Sequence, residues 1–199
     1  MLTLYDYLPS GNGYKVRLLL RQLNRPYRLV ETDILAGETR TAEFLARNPN
    51  GRIPVLVDGE TVFSESNAIL FYLADGTPFL PEDRLGRARV LQWMFFEQYS
   101  HEPNIATVRH WLCHLGRKAD DPAVQEKRDA GYRALLVMEQ HLAAADFFVG
   151  DRYGIADIAL YAYTHVADEG GFDLSSYPSV GRWLERVRSQ PAYAPITAG

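Results

Sequence analysis

The sequence predicts an α/β domain followed by an all-α domain. Three observations carry this. Residues 1–75 order themselves as β-α-β-α-β-β-α. A cluster of chain breakers, Asp75-Gly76-Thr77-Pro78-Phe79-Leu80-Pro81, then interrupts the pattern. Beyond it strand signals stop, and apolar residues recur only at helical spacing. The expected division is a first domain over 1–75, a linker over 76–86 and an all-helical domain over 87–199.

Leu2-Thr3-Leu4-Tyr5-Asp6-Tyr7 reads as a short strand, and Pro9-Ser10-Gly11-Asn12-Gly13 as the turn after it. Val16, Leu19, Leu20 and Leu23 fall at i, i+3, i+4 and i+7, one apolar stripe of a helix, which Asn24-Arg25-Pro26 ends. Tyr27 to Asp33 alternates loosely, as a second strand does. Thr41 to Arg47 is a short helix with Phe44 and Leu45 inward, closed by the breaker Asn48-Pro49-Asn50-Gly51. Val55-Leu56-Val57 and Thr61-Val62-Phe63 flank Asp58-Gly59, the pattern of a β-hairpin. Helix follows from about Asn67 to Ala74. The β-α-β start predicts parallel strands and the hairpin antiparallel ones, so the sheet is four-stranded and mixed.

In the second part, Leu91-Gln92-Trp93-Met94-Phe95-Phe96 is apolar nearly all round. That predicts a buried helix, with Trp93, Phe95 and Phe96 in the core. Ile155, Ile158, Ala159 and Ala162 make one i, i+3, i+4, i+7 set, and Val180, Trp183, Leu184 and Val187 make another.

The charge balance excludes several classes. A net charge of −4 lacks the basic footprint of a nucleic-acid binder. The one basic run, Arg17, Arg21, Arg25 and Arg28, follows helical and then strand spacing and reads as a solvated face. A single cysteine, Cys113, rules out a disulfide within the chain and fits a cytoplasmic protein. Met1 to Tyr7 has neither the basic stretch nor the apolar core of a leader. No run approaches the ~18 apolar residues of a membrane span. His110, Cys113 and His114 share a helical face, but no fourth ligand is evident, so no metal is expected.

Three segments carry chemistry. Pro9-Ser10-Gly11-Asn12-Gly13 joins a strand end to a helix N-terminus, whose free N–H groups and partial positive charge hold anions. Its plain alternative is an N-cap and turn. Gly51-Arg52-Ile53-Pro54-Val55-Leu56 puts a proline before a strand. A cis bond there would leave the Ile53 N–H and C=O free for an extended peptide; spacing alone leaves cis and trans open. Ser64-Glu65-Ser66-Asn67 precedes a helix. Ser66 with its neighbouring N–H groups suits a carboxylate, and Glu65 suits an ammonium, so one ligand with α-amino and α-carboxyl groups would satisfy both.

Taken together, this element order, the donor loop, Ile53-Pro54 and Glu65-Ser66 resemble the glutathione transferase family. Phe148-Val149-Gly150-Asp151 and Ala156-Asp157-Ile158 also resemble its helix-capping region. That region usually has Ser or Thr where this chain has Gly154, a serviceable cap. The resemblance implies a thioredoxin-like domain followed by a helical bundle that forms the electrophile pocket, in a homodimer. It implies glutathione as co-substrate. Its γ-glutamyl end would meet Glu65 and Ser66, its cysteine backbone would pair with Ile53 beside cis-Pro54, and its glycine carboxylate would be reached by Arg40, with Arg52. Tyr99, His101 and Arg109 fall on a helix that borders the electrophile pocket in the family.

The nucleophile in such an enzyme is the thiolate. Lowering a thiol pKa from ~8.5 by ~2 units takes about 2.7 kcal/mol of preferential anion stabilisation, which one or two donors and a helix N-terminus supply. Ser10 matches the active serine of theta- and phi-like members. Asn12 matches the asparagine of nu-like ones, whose loop Thr-Pro-Asn-Gly-His-Lys is similar to Ser10-Gly11-Asn12-Gly13-Tyr14-Lys15 here. Tyr7 falls where tyrosine-type members carry theirs. The resemblance implies thiolate addition to small electrophiles. It also admits nu-like reduction of small disulfides by glutathione, a glutathione-dependent isomerase, or a binding module without chemistry.

Overall fold

The computed structural model describes residues 1–198. Two compact units form: residues 1–77 joined by the segment from Pro191 onward, and residues 78–190.

In the first unit, β1 (Leu2–Asp6), β2 (Tyr27–Glu31), β3 (Val55–Asp58) and β4 (Thr61–Ser64) make one sheet of order β2-β1-β3-β4. β1 runs parallel to β2 and antiparallel to β3, and β3 pairs antiparallel with β4. The mixed sheet expected from sequence is therefore present. α1 (Gly11–Gln22) packs on α3 (Ser66–Ala74). Val16, Leu19 and Leu20, the apolar stripe of α1, are fully buried. α1 ends where expected: Asn24 turns left-handed at φ 51°, and the Arg25 N–H reaches back 2.9 Å to the Leu20 carbonyl. α2 (Ala42–Arg47) is capped by Thr41, whose hydroxyl accepts the Phe44 N–H at 3.2 Å. It buries Phe44.

One reading of this unit is overturned. Of the basic run, Arg21, Arg25 and Arg28 are exposed, but Arg17 is only 3% exposed. It sits one turn from Gly13 on the inner face of α1, where Asp6 receives it at 2.8 Å.

The second unit is helical: α4 (Arg84–Phe96), α5 (Glu102–Cys113), α6 (Pro122–Leu142), α7 (Ile155–Thr164) and α8 (Pro178–Arg188). Asp83 caps α4 by accepting the Gly86 N–H, and Asp121 caps α6 with Pro122 at the first helical position. A single wide turn, Glu97–His101, joins α4 to α5. The two periodic sets behave as the pattern predicts. Ile155, Ile158, Ala159 and Ala162 are buried, as are Val180, Trp183, Leu184 and Val187.

At the start of α7, Gly154 is the N-cap and Asp157 does the work a Ser or Thr would share. The Asp157 carboxylate accepts the Gly154 N–H at 3.0 Å, the Phe148 N–H at 3.1 Å and the Trp183 indole N–H at 2.9 Å. One buried side chain thus ties together the loop before α7, the helix start and α8.

The expectation for α4 is corrected. Met94 and Val90 are buried, but Phe95 is 70% exposed and Leu91 is also open to solvent. Trp93 is partly buried, in ring contact with Phe96 and Phe148. Apolar character all round the helix marks an exposed hydrophobic face here rather than enclosure.

Candidate active site

Strand register assembles the site. Tyr5 pairs with Val55 across β1 and β3, and Val55 pairs with Ser64 across β3 and β4. The residues just beyond this row are Tyr7 to Ser10 after β1, Ile53-Pro54 before β3, and Glu65-Ser66 after β4. Three segments separated by up to some 55 positions in sequence therefore share one sheet edge. A hydrogen bond closes the circuit, since the Ser66 hydroxyl donates to Asn12 Oδ1 at 3.2 Å.

The first loop is shaped by its backbone. The Ser10 N–H donates to the Tyr7 carbonyl at 2.7 Å, and the Ser10 carbonyl accepts the first helical bond, from Tyr14, at 3.0 Å. Ser10 is the N-cap of α1, yet its hydroxyl makes no capping bond. A plain N-cap would have used that oxygen on the helix; here it is not spent there.

Asn12, the second residue of α1, has its carbonyl oxygen directed to Ser66. Sequence reasoning passed over what orients that pair. Lys15, fully buried, donates from Nζ to Ser66 Oγ at 3.3 Å and to Asn67 Oδ1 at 3.4 Å. With the lysine as donor, the Ser66 proton is left for Asn12. The signals for Lys15 in the sequence are its spacing, three residues after Asn12 on α1, and its place as the last residue of the loop that resembles the nu-like one.

The Ile53–Pro54 peptide bond is cis, the alternative that spacing left open. Asn48 holds the approach: its side-chain amide donates to the Arg52 carbonyl at 2.7 Å, and its oxygen accepts the Asn50 N–H at 3.1 Å. Gly51 is left-handed at φ 62°, and a Cβ there would press on the Arg40 guanidinium. Arg40 itself donates to the Asn50 carbonyl at 3.3 Å. Arg40 and Arg52 are thereby brought to the same loop, both exposed.

Glu65 is the N-cap of α3 and takes φ 68°, a left-handed conformation rare for a side chain with a Cβ. Its carbonyl accepts the Ile69 N–H at 3.0 Å while its carboxylate stays exposed. Ser66 opens the helix and is buried.

Tyr7 answers to a different neighbourhood. Partial burial raises its phenol above the ordinary value, and the charges of Asp33 and Glu31 push the same way. Those acids belong to the end of β2, on the far side of β1 from β3.

The second unit's three candidates are not alike. Tyr99 is 88% exposed. His101 is fully buried and bonds Thr164 at 2.8 Å. The Thr164 hydroxyl already donates to the Leu160 carbonyl, so His101 Nε2 carries the proton. Arg109 is buried and pairs with Glu169 at 2.7 Å. The His110 and His114 rings meet at a tilt of 43° near the exposed Cys113, and among the described residues no cluster of three or more metal-ligating groups forms.

A four-stranded mixed sheet with a cis-proline at one edge, followed by a helical domain, defines a class: thioredoxin-like proteins extended by a helical bundle. Residues 1–75 match the family model for the glutathione S-transferase N-terminal domain, and residues 95–191 match that for the C-terminal domain. The chain belongs to the glutathione S-transferase family. It is 34% identical to the disulfide-bond oxidoreductase YfcG of Escherichia coli K12, over 96% of this chain and 92% of that protein. A crystal structure of a glutathione S-transferase from Pseudomonas fluorescens Pf-5 superposes with a TM-score of 0.96 at 50% identity, covering 99% of each chain. A second family member from the same organism, solved with two glutathione molecules bound, gives 0.86 at 28% identity over 96% of this chain and 89% of that one.

Proposed function

We propose that this chain binds glutathione along the sheet edge described above and ionises its thiol for attack on small electrophiles. The observation that supports this most directly is the Tyr5–Val55–Ser64 row, which gathers an anion-holding loop, an open backbone edge and an acid beside a helix N-terminus. In this reading Glu65 takes the ligand's ammonium and the Ser66 backbone N–H, at the start of α3, its α-carboxylate. The Ile53 N–H and C=O pair with the cysteine backbone, and Arg40 and Arg52 take the glycine carboxylate. The sulfur lies over the start of α1, where Ser10 Oγ–H and the Asn12 NH2 donate to the anion. Tyr7 is the weakest of the three donors, because the acids beside it disfavour a second negative charge. Of the helical-domain candidates Tyr99 is exposed, whereas His101 and Arg109 bond Thr164 and Glu169.

A second reaction fits the same site. The chain's single cysteine, Cys113, lies at the end of α5 and not in the loop. Disulfide reduction would therefore run on glutathione's own sulfur. The thiolate of one glutathione attacks a mixed disulfide, oxidised glutathione forms, and the partner thiol leaves as the reduced product. The bacterial relative named as a disulfide-bond oxidoreductase favours giving this reading a direct test.

Calorimetry with glutathione checks the shared premise, with heat of binding expected at millimolar concentration or below. Absence of binding overturns both readings and leaves a binding module for some other ligand. Turnover of an aryl halide against turnover of a small mixed disulfide then separates transferase from reductase.

We further propose that the protein is a cytoplasmic homodimer. Leu91 and Phe95, one turn apart on α4, and Tyr72 and Val62 in the first unit leave apolar surface exposed that a second copy would cover. Phe95→Glu is expected to shift the sedimenting species from dimer to monomer. A wild type that sediments as a monomer at micromolar concentration refutes the assignment.

A further inference from the structure

Arg17 is anchored by four acceptors. Its Nε donates to Asp6 Oδ2 at 2.8 Å, its Nη2 to the Leu8 carbonyl at 2.6 Å, and its Nη1 to the Ile196 carbonyl at 2.9 Å and to that of Ala198. The acceptors come from three stretches of chain: the end of β1, the loop carrying Ser10, and the C-terminal tail. The tail is fastened at a second point, where the Tyr14 hydroxyl donates to the Ala194 carbonyl at 2.7 Å. Ala194 and Ile196 are buried. Asp6 in turn receives the Tyr7 N–H at 2.8 Å through its other oxygen. There is no slack beneath: a Cβ on Gly13 would fall on the Asp6 carboxylate.

We propose that Arg17 and the tail it grips, Ala194–Ala198, form a clamp that sets the backbone of the Tyr7–Ser10 loop, making Arg17 a positioning residue for the thiolate donor. Leu8 is held on one side by Arg17 through its carbonyl and on the other by Glu31, whose Oε1 accepts the Leu8 N–H at 3.0 Å. Tyr7 is held through its N–H by Asp6, and Ser10 is tied to Tyr7 by the turn. The height of the Ser10 hydroxyl over the helix start is thus fixed from below by a guanidinium with four acceptors. Only arginine offers donors in a planar fork wide enough to serve them at once; lysine, whose three donors sit on one nitrogen, cannot. The tail carbonyls take the Nη1 donors and so hold the fork's orientation. Burial pushes the Asp6 carboxyl up to about 7, with Arg17 opposing.

The inference rests on glutathione binding at this edge, and the test separates the two. The pKa of the bound glutathione thiol is read from thiolate ultraviolet absorbance in wild type, Arg17→Lys, Tyr14→Phe and Ile196→Lys, alongside affinity for a thioether derivative of glutathione that has no thiol to ionise. The expected result is a thiol pKa higher by about half a unit to one unit in Arg17→Lys, about a two- to fivefold loss of thiolate at pH 6.5. Smaller shifts in the same direction are expected in the two tail variants, with thioether affinity within about twofold of wild type. A merely structural role would not move the thiol pKa while leaving thioether binding intact. A lowered wild-type thiol pKa that stays unchanged in every folded variant overturns the clamp alone. A wild type that does not lower the thiol pKa overturns the glutathione reading and the clamp with it. Should Arg17→Lys fail to fold, Tyr14→Phe and Ile196→Lys, which leave the Arg17–Asp6 pair in place, decide the matter by the same measurement.

Discussion

Asp157→Ala is expected to cost about 3 kcal/mol or more in unfolding free energy, measured by denaturant titration at constant slope. The variant strands the Phe148 N–H, the Gly154 N–H and the Trp183 indole N–H, which now converge on one carboxylate. Each buried donor left unmade costs about 1–3 kcal/mol, against a total stability of about 5–15 kcal/mol. The same residue gives a pH signature. Burial lifts the Asp157 carboxyl to about 7, with the donated hydrogen bonds opposing. An acid whose folded pKa lies above its unfolded value stabilises the fold most when protonated, and that contribution drains away as pH rises from about 4 to about 7. His165 has the opposite sign. Burial lowers it to about 4, so its contribution is lost as pH falls below 6.5. Comparing wild type with Asp157→Asn isolates the acid: the stability gap is expected to narrow between pH 4 and pH 7. A gap that widens instead means that the three donors win over burial and the native group is the carboxylate.

Ser10→Ala is expected to raise the pKa of bound glutathione by about one unit, the worth of one hydrogen bond to a charged acceptor, about 1.4 kcal/mol. At pH 6.5 the turnover per enzyme falls about fivefold, in step with the lost thiolate. Above pH 9 the thiol ionises unaided, so the deficit should vanish there while glutathione affinity changes little. That convergence separates a donor to the sulfur from a residue that merely shapes the loop. Asn12→Ala should show a smaller shift. If Asn12→Ala gives the large shift and Ser10→Ala none, the principal donor is the asparagine, as in nu-like relatives.

Much of this was legible in the residues themselves. The strands and the hairpin announce themselves through β-branched runs around Asp58-Gly59, and the register that follows from the hairpin delivers Glu65-Ser66 to the edge beside Ile53-Pro54. The left-handed end of α1 was written in Asn24-Arg25-Pro26. What failed did so for identifiable reasons. Helical spacing says which residues share a face but not whether that face meets solvent, so Arg17 read as one more surface cation although a carboxylate waits on β1. An all-apolar stretch does not distinguish a core from a surface awaiting a partner, so Phe95 was assigned to the interior. The wide turn at Glu97–His101 rotates His101 inward and Tyr99 outward, an offset no regular period encodes. The tail from Pro191 onward has no periodicity at all; its place is set by carbonyl groups, which every residue has.

The backbone at Glu65 carries a cost that the fold does not require. A left-handed φ of 68° at a residue with a long side chain is unfavourable by about 1–3 kcal/mol, and glycine would sit there at ease. In the proposed function Glu65 holds the ligand's ammonium, so Glu65→Gly is expected to give a sturdier scaffold with weaker glutathione affinity, the first read by denaturant titration and the second by calorimetry.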